Sequence, residues 1–189
     1  MSEENKTDVE RILTALRFSS IQHCHQRRKG EDSTPYINHP IEVAETLARI
    51  GGVKDSDILI AAILHDTIED TGATGEQIEE MFGVRVRGFV EEVTDDKSLP
   101  KQERKQKQIE HAPHLSNEAK QIKLADKSSN VKEITQNPPA DWSLERKSQY
   151  LDWGERVVAG LRGVNKNLDD YFDGILKQSR EKLGQETSS

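Results

Sequence analysis

One cysteine in 189 residues, Cys24, excludes an internal disulfide and suits a reducing compartment. Six prolines and twelve glycines are too few for a Pro/Gly-rich linker or a fibrous repeat. Positive charge is also short: 27 Lys and Arg stand against 34 Asp and Glu, a formal net charge of −7. That balance argues against general nucleic-acid binding, although an anionic small substrate is compatible where cations gather locally. No apolar run approaches a membrane span, and the polar start Met1-Ser2-Glu3-Glu4-Asn5-Lys6 lacks the apolar core of a signal peptide. The expected location is cytoplasmic. Aromatics are only 5% of the chain and no internal repeat is visible.

What is present in abundance is charge, 32% of residues, arranged around helical periodicity. The length suits one compact domain, placed at residues 7–182 between disordered tails at 1–6 and 183–189. Ile12, Leu16, Ser19 and His23 share a face of a first helix running to about Arg28. Pro40 sits where a helix tolerates it, in the first turn, and Ile41, Val43, Ala44, Leu47 and Ile50 carry that helix to Gly51-Gly52. Thr74-Gly75-Glu76-Gln77 has the capping-box pattern. The run Lys101 to Lys107 reads as a solvated helix face. Ala119, Ile122, Ala125 and Val131 mark a further helix, ended by Pro138-Pro139, and two late helices follow. No segment alternates convincingly, so the fold class is all-α.

The chemistry centres on Ile63-Leu64-His65-Asp66-Thr67-Ile68-Glu69-Asp70. The preceding Ile58-Leu59-Ile60-Ala61-Ala62 is apolar all round, the pattern of a buried helix. On one continuous helix over Asp55 to Asp70, the His-Asp and Glu-Asp pairs occupy a wedge of roughly 140°. Buried carboxylates need a positive partner, and a divalent metal is the simplest one. His39, before Pro40, and Asp126, in Lys123-Leu124-Ala125-Asp126-Lys127, complete an all-N/O donor set. Without a thiolate such a set favours Mn²⁺ or Fe²⁺ over Zn²⁺, Co²⁺ and Mg²⁺. Glu69 and Asp70, one turn further on, stand beside that ion to orient or deprotonate a water. Each part also has an ordinary structural explanation: His39 capping its helix, Asp126 pairing with Lys123 or Lys127. His23, His25, His111 and His114 lie in polar surroundings and receive no metal role. Arg27-Arg28-Lys29 opens the loop to His39, as a phosphate-binding stretch or a surface charge run.

Together these motifs resemble the HD superfamily of metal-dependent phosphohydrolases. More narrowly, Gln26-Arg27-Arg28-Lys29, Thr34 to Pro40, His65 to Thr71, Val93 to Lys97 and Lys123 to Lys127 resemble the hydrolase domain of the RelA/SpoT family. The likeness is greatest to its small stand-alone animal type, the metazoan SpoT homologues, and covers about Leu13 to Leu176. It implies one Mn²⁺ per chain held by His39, His65, Asp66 and Asp126, with Glu69 and Asp70 as catalytic acids. It implies that Arg28, Lys29 and Asn130 contact the nucleotide or its phosphates, with Trp142 and Tyr150 also on the substrate side. The implied reaction removes the 3′-pyrophosphate of guanosine tetra- and pentaphosphate. Nothing resembles the family's synthetase domain, so hydrolysis without synthesis is expected. Two other readings stand beside it: an NADPH 2′-phosphatase or other nucleotide phosphohydrolase, and a non-catalytic alarmone sensor. The oligomeric state is left open. Ser128-Ser129 departs from the family's usual bulky apolar residue followed by an aromatic, which would border the nucleotide pocket.

Overall fold

The computed structural model describes residues 7–186. Its helices are α1 (Asp8–Gln22), α2 (Asn38–Arg49), α3 (Ser56–Leu64), α4 (Thr67–Asp70), α5 (Gly75–Phe82), α6 (Val84–Val93), α7 (Lys101–His111), α8 (Asn117–Gln136), α9 (Leu144–Ala159) and α10 (Lys166–Glu186). A 3-10 turn, Ala112–His114, joins α7 to α8. Among the described residues the β pairing amounts to one isolated bridge, Arg27 with Pro35, so the all-α expectation holds. No helix among them is long and apolar enough to cross a membrane.

Hydrophobicity determines the layering. Ile60, Ala61, Ala62 and Leu64 of α3 are fully buried, and α1, α2, α6 and α8 pack around them. Burying each large aliphatic side chain contributes about 1.5–3 kcal/mol, which fixes α3 as the central rod. On α2, His39, Val43 and Leu47 recur at helical spacing on one buried face. That face lies against α3 and α8. The middle of α8 is buried all round, from Leu124 to Ser129, because α2, α3, α9 and α10 surround it. Asp126 is thereby carried into the interior with its apolar neighbours.

Side-chain caps set several boundaries. Thr74 and Gln77 exchange the reciprocal bonds of a capping box at the start of α5, as the sequence pattern predicts. Ser116 and Ser143 cap α8 and α9 through the N–H groups of Ala119 and Arg146.

Three boundaries differ from expectation. The first helix stops at Gln22 instead of Arg28, where the His23 N–H closes the last turn on Ser19 and Ile21. Residues beyond it form a narrow ribbon, with Arg28 N–H on Thr34 and Tyr36 N–H on Gln26. The expected single helix over Asp55 to Asp70 is two, α3 and α4, broken at His65-Asp66. The carbonyls of Ala62 and Leu64 accept from the His65 imidazole at 2.8 Å and the Thr67 hydroxyl at 2.6 Å, donors that compete with helical N–H groups. At the far end, α10 continues to Glu186 with Leu183 buried, past the point where the sequence reading ends it. Residues 1–6 and 187–189, read as tails, lie outside the described residues.

Candidate metal centre and substrate cleft

The break after α3 turns His65 and Asp66 toward α2 and α8. His39, on the first turn of α2, and Asp126, mid-way along α8, meet them there. His39 Nε2 lies 3.2 Å from Asp126 Oδ1 and 3.7 Å from Asp66 Oδ2. His65 Nε2 lies 3.0 Å from Asp66 Oδ2 and 3.8 Å from Asp126 Oδ1. The two rings meet edge-on, 5.2 Å apart. Donor atoms of His39, His65 and Asp126 all fall within 4.8 Å of one another. Asp66 touches both imidazoles but stands outside that closed group, and its Oδ2 also accepts the Tyr36 hydroxyl at 2.5 Å.

The two imidazoles face inward with the same atom. Nε2 of His39 and Nε2 of His65 are buried and make no hydrogen bond. Their Nδ1 atoms are engaged behind, on the Ser129 hydroxyl at 3.0 Å and on the Ala62 carbonyl at 2.8 Å. A carbonyl only accepts, so neutral His65 carries its proton on Nδ1 and keeps its lone pair at Nε2, the atom that exchanges a second proton for a cation. Anchored imidazoles with free lone pairs facing carboxylates are what a divalent cation requires. The electrostatics agree. Burial pulls the His65 imidazole down, yet Asp66 and Asp126 outweigh it and hold it up at about 9. For His39 burial prevails and the ring is pushed below its usual value. Burial pushes Asp126 up, but Lys127 and the two histidines hold it well below the carboxylate range. The cluster therefore demands positive charge.

Asp126 is held on two sides. Lys127 Nζ donates to Oδ2 at 3.0 Å, and Asn130 Nδ2 donates to Oδ1 at 2.5 Å. Pairing of Asp126 with Lys127 thus exists, alongside its place in the cluster. Asn130 also accepts from Arg28 at 3.2 Å and so links the cluster to the surface ribbon.

Glu69 and Asp70 of α4 are half-buried and held separately. Glu69 Oε2 accepts the Asp95 N–H at 3.1 Å, and Arg104 lies 3.8 Å from Oε1. Burial and the Asp95 carboxylate push Glu69 above its usual value, against the pull of the Asp95 N–H. Asp70 accepts from Gln26 at 2.7 Å and pairs with Lys97.

A cleft of about 600 Å³ adjoins the cluster through Tyr36 and Asn130, the residues bonded to Asp66 and Asp126, and the four clustered side chains do not themselves line it. Tyr36, Asp70 and Asn130 line its floor, Arg28 and Lys29 one wall, and Lys101, Lys105, Trp142, Arg146 and Tyr150 the other. The expectation that Lys101 to Lys107 is merely a solvated face is therefore incomplete. Lys105 stands 5.5 Å over the Tyr150 ring and 4.7 Å over Trp153, and burial with nearby Lys101 and Lys127 lowers its pKa. Arg146 stands 4.4 Å over Trp142. Spacing within α7 holds the signal, since residues 101 and 105 share a face, but polarity masks it. Gly30 closes the near wall, where a Cβ would overlap Asn137, so the close approach requires glycine.

Ser129, at the position where the resembled family commonly has an aromatic, has a different neighbour. It does not line the cleft; it sits behind His39, on the α2 side of α8. His23, expected in polar surroundings, is instead buried against Tyr36 and bonded to Gln26 at 2.7 Å, and the Tyr36 ring separates it from His39.

A broken buried helix carrying His-Asp, completed by a histidine and an aspartate from flanking helices, defines a class of helical metal-site domain, and the chain belongs to it: the HD domain family matches residues 15–151. Within that family the chain is 51% identical to the guanosine-3′,5′-bis(diphosphate) 3′-pyrophosphohydrolase MESH1 of Xenopus tropicalis, over 88% of this chain and 93% of that protein. The Homo sapiens protein of the same name is 46% identical over 91% of this chain and 96% of its own length. A solved structure described as a metazoan ortholog of SpoT that hydrolyzes ppGpp superposes with a TM-score of 0.86 at 46% identity, covering 89% of this chain and 94% of that one.

Proposed function

We propose that this chain is a manganese-dependent guanosine-3′,5′-bis(diphosphate) 3′-pyrophosphohydrolase, a single cytoplasmic HD domain that converts the alarmones to GDP or GTP and pyrophosphate. The observation that carries this reading is the pair of unpartnered, buried imidazole nitrogens facing Asp126 and Asp66, joined to a neighbouring cationic cleft through Tyr36 and Asn130. His39, His65, Asp66 and Asp126 would hold one Mn²⁺, a choice that follows from nitrogen and oxygen donors without thiolate. Such an ion would supply Lewis acidity and lower the pKa of a bound water.

The protein's own groups do the rest. Glu69 accepts the proton of the attacking water, and its raised pKa makes it a better base than an exposed carboxylate at neutral pH. Asp70, fixed by Gln26 and Lys97, orients that water. Arg28 and Lys29 face the transferred phosphates, and Asn130 couples Arg28 to Asp126, so substrate docking and the metal cluster share one hydrogen-bond chain. Lys105 and Arg146 meet the remaining phosphates, while Trp142 and Tyr150 offer ring faces to the nucleotide.

A second reading, hydrolysis of the 2′-phosphate of NADPH, uses the same machinery. Trp142 and Tyr150, with centroids 5.5 Å apart in the cleft lining, would meet an adenine or nicotinamide ring as they would a guanine. Incubation with guanosine tetraphosphate and with NADPH, each with Mn²⁺ or chelator, separates the readings. The expected result is GDP and pyrophosphate from the alarmone, abolished by chelator. Inorganic phosphate from NADPH alone would replace the alarmone as substrate, and tight alarmone binding without turnover would make the chain a sensor.

A further inference from the structure

Two pairs of residues at i,i+3 spacing face each other across α2 and α8. His39 and Glu42 belong to α2, Ser129 and Lys132 to α8. The Ser129 hydroxyl donates to Glu42 Oε2 at 2.8 Å and lies 3.0 Å from His39 Nδ1. Lys132 Nζ donates to Glu42 Oε1 at 2.7 Å. A hydroxyl has one proton, and a carboxylate only accepts. With that proton committed to Glu42, Ser129 meets His39 through a lone pair, and the His39 proton is placed on Nδ1. His39 Nε2 then points unprotonated at Asp126 and Asp66.

This arrangement has a definite competitor. With its proton on Nε2, His39 would donate to Asp126 Oδ1, only 3.2 Å away, and a proton would fill the space between two metal-binding atoms. His65 faces no such choice, because its Nδ1 is anchored to a backbone carbonyl that no side-chain substitution removes. His39 depends on side chains, and its hydroxyl partner stands where the resembled family commonly has an aromatic.

We infer that Ser129 and Glu42, braced by Lys132, are positioning residues that hold His39 in the tautomer needed to bind the metal. The inference rests on the metal centre proposed above. Neither residue lines the cleft, and both reach the cluster only through His39. Loss of a partner behind a ligating histidine typically weakens metal binding ~10- to 100-fold, and the relay is expected to fall in that range. Its loss leaves kcat at saturating Mn²⁺ near wild type.

The test compares wild type with Ser129→Ala, Ser129→Thr and Glu42→Gln. Mn²⁺ affinity is measured by titration calorimetry on metal-free protein, and the His39 tautomer by ¹⁵N NMR of ring-labelled histidine. Thermal melts establish that each variant is folded, and Glu42, partly exposed on its helix, gives a variant independent of the buried serine. The expected result is Nδ1-protonated His39 in wild type and in Ser129→Thr, with similar affinity. Ser129→Ala and Glu42→Gln are expected to shift toward the Nε2-protonated form and bind Mn²⁺ ~10- to 100-fold more weakly. Wild-type affinity with an unchanged tautomer in Ser129→Ala would overturn the relay. A wild-type protein that binds Mn²⁺ through this relay yet leaves the alarmone intact would overturn the assigned reaction and leave the relay standing.

Discussion

Glu69 accepts the backbone N–H of Asp95 at 3.1 Å, a bond that ties α4 to the loop after α6. It fixes the carboxylate yet places it beside a second acid, so ionised Glu69 is disfavoured in the folded protein. A raised folded-state pKa means that its contribution to stability is present below the unfolded value and lost as pH rises through the folded one. Glu69→Gln is therefore expected to raise Tm at pH 7, to converge with wild type near pH 4, and to keep the metal. The same variant should lose turnover, and the acid limb of the wild-type kcat/KM profile should lie above the pH of an ordinary glutamate. A Glu69→Gln variant turning over at the wild-type rate would remove Glu69 from its role.

Metal removal acts on the cluster beneath. With Mn²⁺ at a hundredfold excess over Kd, binding stabilises the fold by ~2.7 kcal/mol, or about 5–11 °C in a domain of this size. Chelator should lower Tm by that amount in wild type. In His65→Ala or Asp126→Ala, melting should no longer respond to Mn²⁺, and turnover should vanish with the response.

Lys127 and Asp126 form a buried pair, with side chains 6% and 10% exposed. Removing one partner of such a pair costs about 3–5 kcal/mol, because the remaining charge is left uncompensated. Lys127→Met should destabilise the metal-free protein by that order in chemical denaturation. Mn²⁺ should recover part of the loss, since it supplies the missing positive charge.

On the cleft wall, Arg28→Ala and Lys105→Ala should each raise KM for the alarmone by about 10- to 100-fold, the worth of a charged hydrogen bond of ~1.5–3 kcal/mol. Trp142→Ala should raise KM less. Lys105→Ala and Trp142→Ala should leave the Mn²⁺-dependent melting shift intact, and KM of the wild type should climb with salt.

Much of the cluster is legible from residue order. The apolar block before His65, the proline after His39 and the acid within a periodic apolar helix lead to His39, His65 and Asp126, whose donor atoms lie within 4.8 Å of one another, with Asp66 beside both imidazoles. The break between α3 and α4 is not legible, because it arises from side-chain bonds of His65 and Thr67 to carbonyls that a propensity reading assigns to the helix. Lys101 and Lys105 read as solvated, since polarity says nothing about which face meets Tyr150 and Trp153. Resemblance marks Ser129 only as the place of a missing aromatic, because it gives a position along the chain and not a partner. The side of α8 from which that serine reaches His39 is a matter of helix packing.

A cation held between α2, the break after α3, and α8 underlies every role assigned above. A crystal grown with Mn²⁺ and measured for anomalous scattering tests its presence directly. One strong peak per chain is predicted, in contact with His39 Nε2, His65 Nε2 and the carboxylates of Asp126 and Asp66. Manganese bound elsewhere, with no density between those four side chains, would contradict it.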